Sequence, residues 1–222
     1  PIREIEGIGV KTWRYGQKGM VFSVSHTKPH ENVSTEIHRT GGPFTLVPLP
    51  DYDGSPQSAI VWMETGPETA RLMDLSDTNF AREATTRSCG VVGPLTLTSQ
   101  RAVWPIISQK ADRLTSERTA LIAEAAHVMP PIGAQGLNMS LTDIQTLVNL
   151  SEKHELGSEQ MLSAYERARK TDVSIRLQGV DFLNRASLTA DPKLRALRLK
   201  GLQFLHGSIA ARKLAMRAGL GN

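Results

Sequence analysis

Four runs with strand character fall within the first 63 residues, and helical periodicity takes over near residue 137; this order limits the available folds more than any single residue does. The runs cover 20–25, 33–39, 44–49 and 58–63. In the second, Val33, Thr35 and Ile37 alternate with Ser34, Glu36 and His38, the period of a strand with two unlike faces. Gly41, Gly42 and Pro43 break the chain before the third run, and Asp-Tyr-Asp-Gly-Ser-Pro at 51–56 breaks it before the fourth, so the runs read as an antiparallel meander. Residues 1–15 read as a connector with a short helical start. Helices are predicted at 67–75, opening on Pro67, and at 77–89, capped by Ser76 or Asp77. Strand signals return at 101–108 and 118–123. Apolar residues at 161, 162, 165, 168, 173, 177, 180 and 183 then follow helical spacing, as do 194–205 and 208–220. The expected fold is α+β: a largely antiparallel sheet with packed helices, then a helical C-terminal region.

Composition removes some functions. The 222 residues suffice for one large core or two small ones. Aromatic content of 5% argues against base stacking, so no nucleic-acid partner is expected. Cys89 stands alone and cannot form an intrachain disulfide, which fits a reducing compartment, and its neighbours Arg87, Ser88 and Gly90 carry no activating signature. No apolar run approaches the roughly 20 residues of a membrane span, and no secretory signal opens the chain, so a cytoplasmic location is expected. The chain starts on Pro1, and neither a β-α-β alternation nor a G-x-G-x-x-G after a strand is found. It is therefore read as a segment of a longer polypeptide, without a Rossmann-like N-terminal half.

Residues 121–143 carry the chemistry. Leu121 and Ile122 read as the end of a strand that delivers the acidic Glu124. A loop with Pro130, Pro131, Gly133 and Gly136 follows, and a helix is predicted to start near Leu137 or Asn138. Such an arrangement suits a polar ligand: glycine admits close backbone approach, and a helix N-terminus offers unpaired N–H groups with partial positive charge. Loops of this kind before helices are also common, and these features alone leave a ligand site and an ordinary connection equally open.

The segment resembles the second FAD motif of flavin monooxygenases related to 4-hydroxybenzoate hydroxylase, through Ala125, Ala126, His127, Pro131, Gln135, Gly136, Asn138 and Asp143. The motif's usual Gly-Asp is here Ala123-Glu124, and its usual Gly before Gln is Ala134. Tyr15-Gly16-Gln17, Thr35-Glu36-Ile37-His38, the stretch from Gly42 to Pro50, Ala59-Ile60-Val61-Trp62 and Tyr165-Glu166-Arg167-Ala168-Arg169 with Asp172 resemble the ubiquinone-biosynthesis hydroxylases within that group. The resemblance implies three parts: a substrate-domain sheet with helices (1–118), the FAD motif (119–143) and a helical region (144–222). It implies that Glu124, Pro131, Gly133, Ala134, Gln135, Gly136, Leu137 and Asn138 contact FAD, with Glu124 on ribityl hydroxyls and the helix start facing the N1–C2=O edge. Pro131 would be a rigid wall at the reacting face, counted as catalytic. Glu36, His38 and Trp62 would line the substrate pocket. The implied activity is hydroxylation of a polyprenylated phenol in ubiquinone biosynthesis with NAD(P)H and O2. A hydroxylase of a soluble aromatic compound and a non-catalytic lipid-binding remnant are the alternatives. This segment alone is expected to retain no FAD and to be inactive.

Other residues read more simply. His26 and His30 are spaced like helical metal ligands, but Pro29 argues against a helix, so they read as exposed turn histidines and no metal site is expected. His127 reads as a structural hydrogen-bonding residue, and Trp104 as core or pocket wall. In 191–222, Lys193, Arg195, Arg198, Lys200, Arg212, Lys213 and Arg217 face one acid, Asp191. Such a tail suits either an anionic membrane surface, giving peripheral docking at an inner membrane, or an ordinary solvated face. Other ubiquinone-biosynthesis proteins are expected partners by the same resemblance.

Overall fold

The computed structural model describes residues 2–39, 41–132, 135–188 and 192–213, except for the side chains of 192–195, 197, 198, 202 and 205. In chain order the elements are α1 (Ile2–Ile5), β1 (Val10–His26), β2 (Thr35–Arg39), β3 (Gly42–Tyr52), β4 (Ser55–Thr65), α2 (Gly66–Met73), α3 (Asp77–Arg87), β5 (Leu95–Leu97), β6 (Ala102–Ala111), β7 (Thr115–Ser116), β8 (Thr119–Ala120), α4 (Ala123–Ala126), β9 (His127–Val128), α5 (Gln135–Ser151), α6 (Glu159–Leu188) and α7 (Pro192–Gly207). The described residues divide into two compact units, one of residues 15–106 with 187–188, the other of 2–14, 107–186 and 192–213.

In the first unit the strand order is β2-β3-β4-β1, with β5 also paired to β1. β1–β4, β2–β3 and β3–β4 are all antiparallel. Register decides which side chains share a face: Ile37 pairs with Phe44, Phe44 with Trp62, and Trp62 with Met20. This face is buried with Phe22, Val24, Leu46 and Ile60 against Leu72 of α2 and Phe80 and Ala84 of α3. Phe80 meets Phe22 edge-on at 4.9 Å, and Phe44 meets Trp62 at 5.4 Å. Each such fully buried apolar side chain contributes about 1.5–3 kcal/mol. Ser76 caps α3 by accepting the Asn79 N–H. The turn into β3 needs glycine, since Gly41 and Gly42 have φ of 99° and 140°. Arg87, at the end of α3, is buried and donates to the carbonyls of Ile37 and Gly42; burial pushes its guanidinium down to about 10.

In the second unit the strand order is β1-β6-β9, and β7 and β8 form a separate hairpin. Ile8, Ala111, Leu114, Leu121, Ala126 and Tyr165 form one core, joined by Leu147 and Leu150 of α5. Met139 of α5 packs with Val173 and Leu177 of α6 in another.

Three expectations need correction. β1 starts at Val10, inside the expected connector: half-buried Trp13 and Tyr15 alternate there with exposed Thr12 and Arg14, too short a pattern to mark a strand among the neighbouring exposed residues. The strand expected over 118–123 is only Thr119–Ala120; Ala123 takes a φ of 52° and the chain turns into α4. Trp104 is 62% exposed and is not core.

Candidate functional site

The site is built in the second unit on a carboxylate that the solvent does not reach. Asp143, 1% exposed on α5, accepts hydrogen bonds from the Ala123 N–H (3.0 Å), His127 Nε2 (2.8 Å) and Arg169 Nε (2.7 Å). Burial pushes the Asp143 carboxyl up, but His127, the Ala123 amide and Arg169 outweigh it and hold the group below its ordinary value. The three donors come from α4, β9 and α6, so one side chain fixes the start of the short helix, the strand after it and the long helix together. Ala123 has positive φ, and the hydrogen bond from its N–H to Asp143 holds that uncommon conformation in place. His127 is thus the structural hydrogen-bonding residue it was expected to be.

α6 adds two further ties. The Tyr165 hydroxyl donates to the Leu121 carbonyl at 2.9 Å, and Glu166 accepts from the Leu114 N–H at 2.7 Å and from the Thr115 hydroxyl at 3.1 Å. The segment that precedes Glu124 is therefore held at both ends by consecutive residues of one helix turn.

A cavity of about 280 Å³ opens beside this scaffold, lined by Glu124, His127, Val128, Met129, Gly136, Leu137 and Ser140. It unites an exposed carboxylate with the first turn of α5, whose N–H groups carry partial positive charge. A Cβ built on Gly136 meets nothing within 4 Å, so backbone lies open to the cavity there. The volume lies just below the roughly 300–1,000 Å³ of whole small-molecule sites, a size that fits one end of a dinucleotide. The cavity thus offers one ligand both an acceptor carboxylate and helix-start donors.

The cofactor residues read from the sequence are only partly brought together. Glu124, Gly136 and Leu137 line the cavity, whereas Gly133 and Ala134 lie outside the described residues. Pro131 is exposed and does not line it, nor do Gln135 and Asn138. The helix begins at Gln135, earlier than expected, so Gln135 and Gly136 belong to its first turn and not to the loop. Glu124 sits in a helical turn rather than at a strand end.

For the substrate residues, register separates what sequence joined. Glu36 and His38 share the sheet face turned away from α2 and α3, 2.6 Å apart with each side chain 28% exposed. Trp62 lies on the opposite face, 3% exposed between Phe44 and Phe80, and is a core residue. His26 is not an exposed turn residue either: it is buried on β1 with Nδ1 against the Lys28 carbonyl and Nε2 against the Ser58 hydroxyl. Cys89 is exposed and accepts from Arg39. Asp143 and His127 were visible as motif positions, but only the fold shows that they bind one another and Arg169.

Residues 4–177 match the family described as FAD binding domain. An uncharacterized protein of Synechocystis, slr1300, is 30% identical over 97% of this chain and 52% of its own length. Ubiquinone hydroxylase UbiL of Rhodospirillum rubrum is 29% identical over 99% of this chain and 52% of its own. The chain thus spans about half the length of the relatives it matches. The structure of p-nitrophenol 4-monooxygenase PnpA from Pseudomonas putida DLL-E4 superposes with a TM-score of 0.75 over 99% of this chain and 56% of that one, at 15% identity, which shows a shared fold. The motif around Asp143, the cavity at the start of α5 and a family match across most of the sequence agree: the chain belongs to the FAD binding domain family.

Proposed function

We propose that the chain supplies the flavin edge and the substrate sheet of an FAD-dependent monooxygenase that hydroxylates a polyprenylated phenol in ubiquinone biosynthesis, with NAD(P)H as reductant. The observation that carries this reading is the cavity that Glu124 lines together with the first turn of α5. When bound, FAD supplies the redox chemistry that activates oxygen for transfer to the ring. The protein's part is to bind, orient and exclude water. Glu124 would accept hydrogen bonds from ribityl hydroxyls, and the N–H groups of the first turn of α5 would donate to the electron-rich edge of the ring. Because α5 is tied through Asp143 to α4, β9 and α6, its donors would cost little reorganisation as negative charge develops. Glu36 and His38 would form the polar end of the substrate surface, where a phenolic hydroxyl can donate to or accept from the pair. The name of the Rhodospirillum relative supports the choice of a ubiquinone-pathway substrate.

Peripheral docking on an anionic membrane fits a polyprenylated substrate. Leu199, Phe204 and Ile209 are 57%, 67% and 62% exposed, in the same stretch as Lys200, Arg212 and Lys213. Among the described residues no helix is long and apolar enough to cross a membrane.

The test is purification of the complete protein followed by anaerobic reduction with NAD(P)H and then turnover with ¹⁸O2. The expected outcome is bound FAD, phenol-stimulated NAD(P)H oxidation and one labelled oxygen on a polyprenylated phenol. A complete protein that holds no FAD, or that oxidises NAD(P)H without labelling any phenol, defeats the reading.

A further inference from the structure

We infer that Asp172 and Arg176 form a positioning pair that sets the first turn of α5, and through it the donors offered to the cofactor. The inference rests on the flavin reading above. Two rows, bonded through side chains and one backbone carbonyl, face each other across α5 and α6. On α5 they are Gln135, Met139 and Asp143, at four-residue spacing along one face; on α6 they are Arg169, Asp172 and Arg176. Arg169 donates through Nε to Asp143 and through Nη2 to the Met139 carbonyl. Its Nη1 donates to Asp172 Oδ2 at 2.6 Å. Asp172 Oδ1 accepts from Arg176 Nε at 2.9 Å, and Arg176 Nη1 donates to Gln135 Oε1 at 3.0 Å. The row therefore runs from the buried Asp143 to the first residue of α5.

The chemistry of the groups gives the row a direction. A guanidinium only donates, so the end of the Gln135 amide against Arg176 is its oxygen, and the NH2 end is turned away. Arg176 can hold this amide because its own plane is set by Asp172, a forked geometry that a point charge on a flexible stem does not reproduce. Asp172 is shared by both arginines. Burial pushes its carboxyl up, while Arg176 and Arg169 outweigh that and keep it ionised below the ordinary range. The Met139 side chain packs with Val173 and Leu177, so the helices are packed as well as bonded. Met139 and Val173 alone would fix the spacing of the helices. Pinning the side chain of residue 135 does something else: it fixes the end of α5 next to Gly136 and Leu137, which line the cavity. Neither Asp172 nor Arg176 lines it.

The test uses the complete apoprotein titrated with FAD by fluorescence, with thermal unfolding recorded in parallel. Arg176→Met should weaken FAD binding about tenfold, and Gln135→Leu by a similar factor, with the double variant no weaker than either alone, because the two act through one contact. Arg176→Lys restores a charge beside Asp172 without the fork. It should return the unfolding temperature to that of the parent while FAD affinity stays low. If Arg176→Lys restores affinity along with stability, or if the Arg176 and Gln135 effects multiply, the pair is a structural tie only and the inference is overturned. A parent protein that binds no FAD overturns the flavin reading and, with it, this inference.

Discussion

Gly136 is the residue where the cavity meets backbone. Its φ lies outside the left-handed region and its Cβ position is empty, so a side chain there strains nothing in the fold. Gly136→Val in the complete protein should abolish FAD binding by filling the cavity edge, while the unfolding free energy changes by less than about 1 kcal/mol; wild-type FAD affinity in this variant would show that the cavity is not the flavin edge. Asp143 has the opposite character. Asp143→Asn leaves Arg169 buried with one ion-pair partner removed, and breaking a buried pair costs about 3–5 kcal/mol. Its carboxyl is depressed in the folded state, so its contribution is fully present above the unfolded value of about 3.9 and is lost as pH falls through the lower folded value. Urea denaturation at several pH values should show the gap between parent and Asp143→Asn constant from pH 7 down to about 5, then shrinking below about 4. A gap that widens in acid would mean that Asp143 is not ionised in the folded protein.

At the scale of elements, α5 has two apolar faces with different work. Met139, Leu147 and Leu150 turn inward to α6 and the core around Tyr165. Leu137, Leu141, Ile144 and Val148 recur at three- and four-residue spacing and are 70%, 54%, 46% and 48% exposed. Periodicity in the sequence marks both faces as apolar; only contact tells which is buried. Met139→Ala, at 1% exposure, should destabilise this chain by about 2–5 kcal/mol, and Leu141→Gln by no more than about 0.5 kcal/mol. Equal losses in chemical denaturation would mean that the outward face is covered. α3 is a simpler case: its start was legible because Ser76 is a capping residue, but its end depends on Arg87, whose role comes from carbonyls on β2 and β3.

For the whole molecule, the charge distribution sets what surface it can approach. Seven basic residues against one acid in 191–222 give this end of the chain a positive field, and its described apolar residues Leu199, Phe204 and Ile209 are exposed. The complete protein should sediment with anionic vesicles and be released by added salt, because exposed charges are screened over about 8 Å at physiological ionic strength. Replacing Arg195, Arg198, Arg212 and Lys213 with Gln should release it too, while turnover of a detergent-solubilised substrate survives. Sedimentation that ignores both salt and the four substitutions would assign the tail to solvent.

The sequence by itself determined what depends on neighbours along the chain: the alternating strands of the meander, the Gly41-Gly42 break, the capped start of α3, the helical block and the motif that holds Glu124, His127, Gln135, Gly136 and Asp143. It also marked the family, since a motif is a local pattern. Tertiary structure decided whatever depends on which face meets which. Trp62 entered the core and Glu36 with His38 stayed outside because strand register, set by pairing between distant segments, assigns each side chain to one face. Glu124 moved into a helical turn because a hydrogen bond from the Ala123 N–H to Asp143, 20 residues away, holds Ala123 at positive φ. The rows that join α6 to α5 were hidden for the same reason: Arg169, Asp172 and Arg176 look like any charged helix face until packing brings them against acceptors on α5.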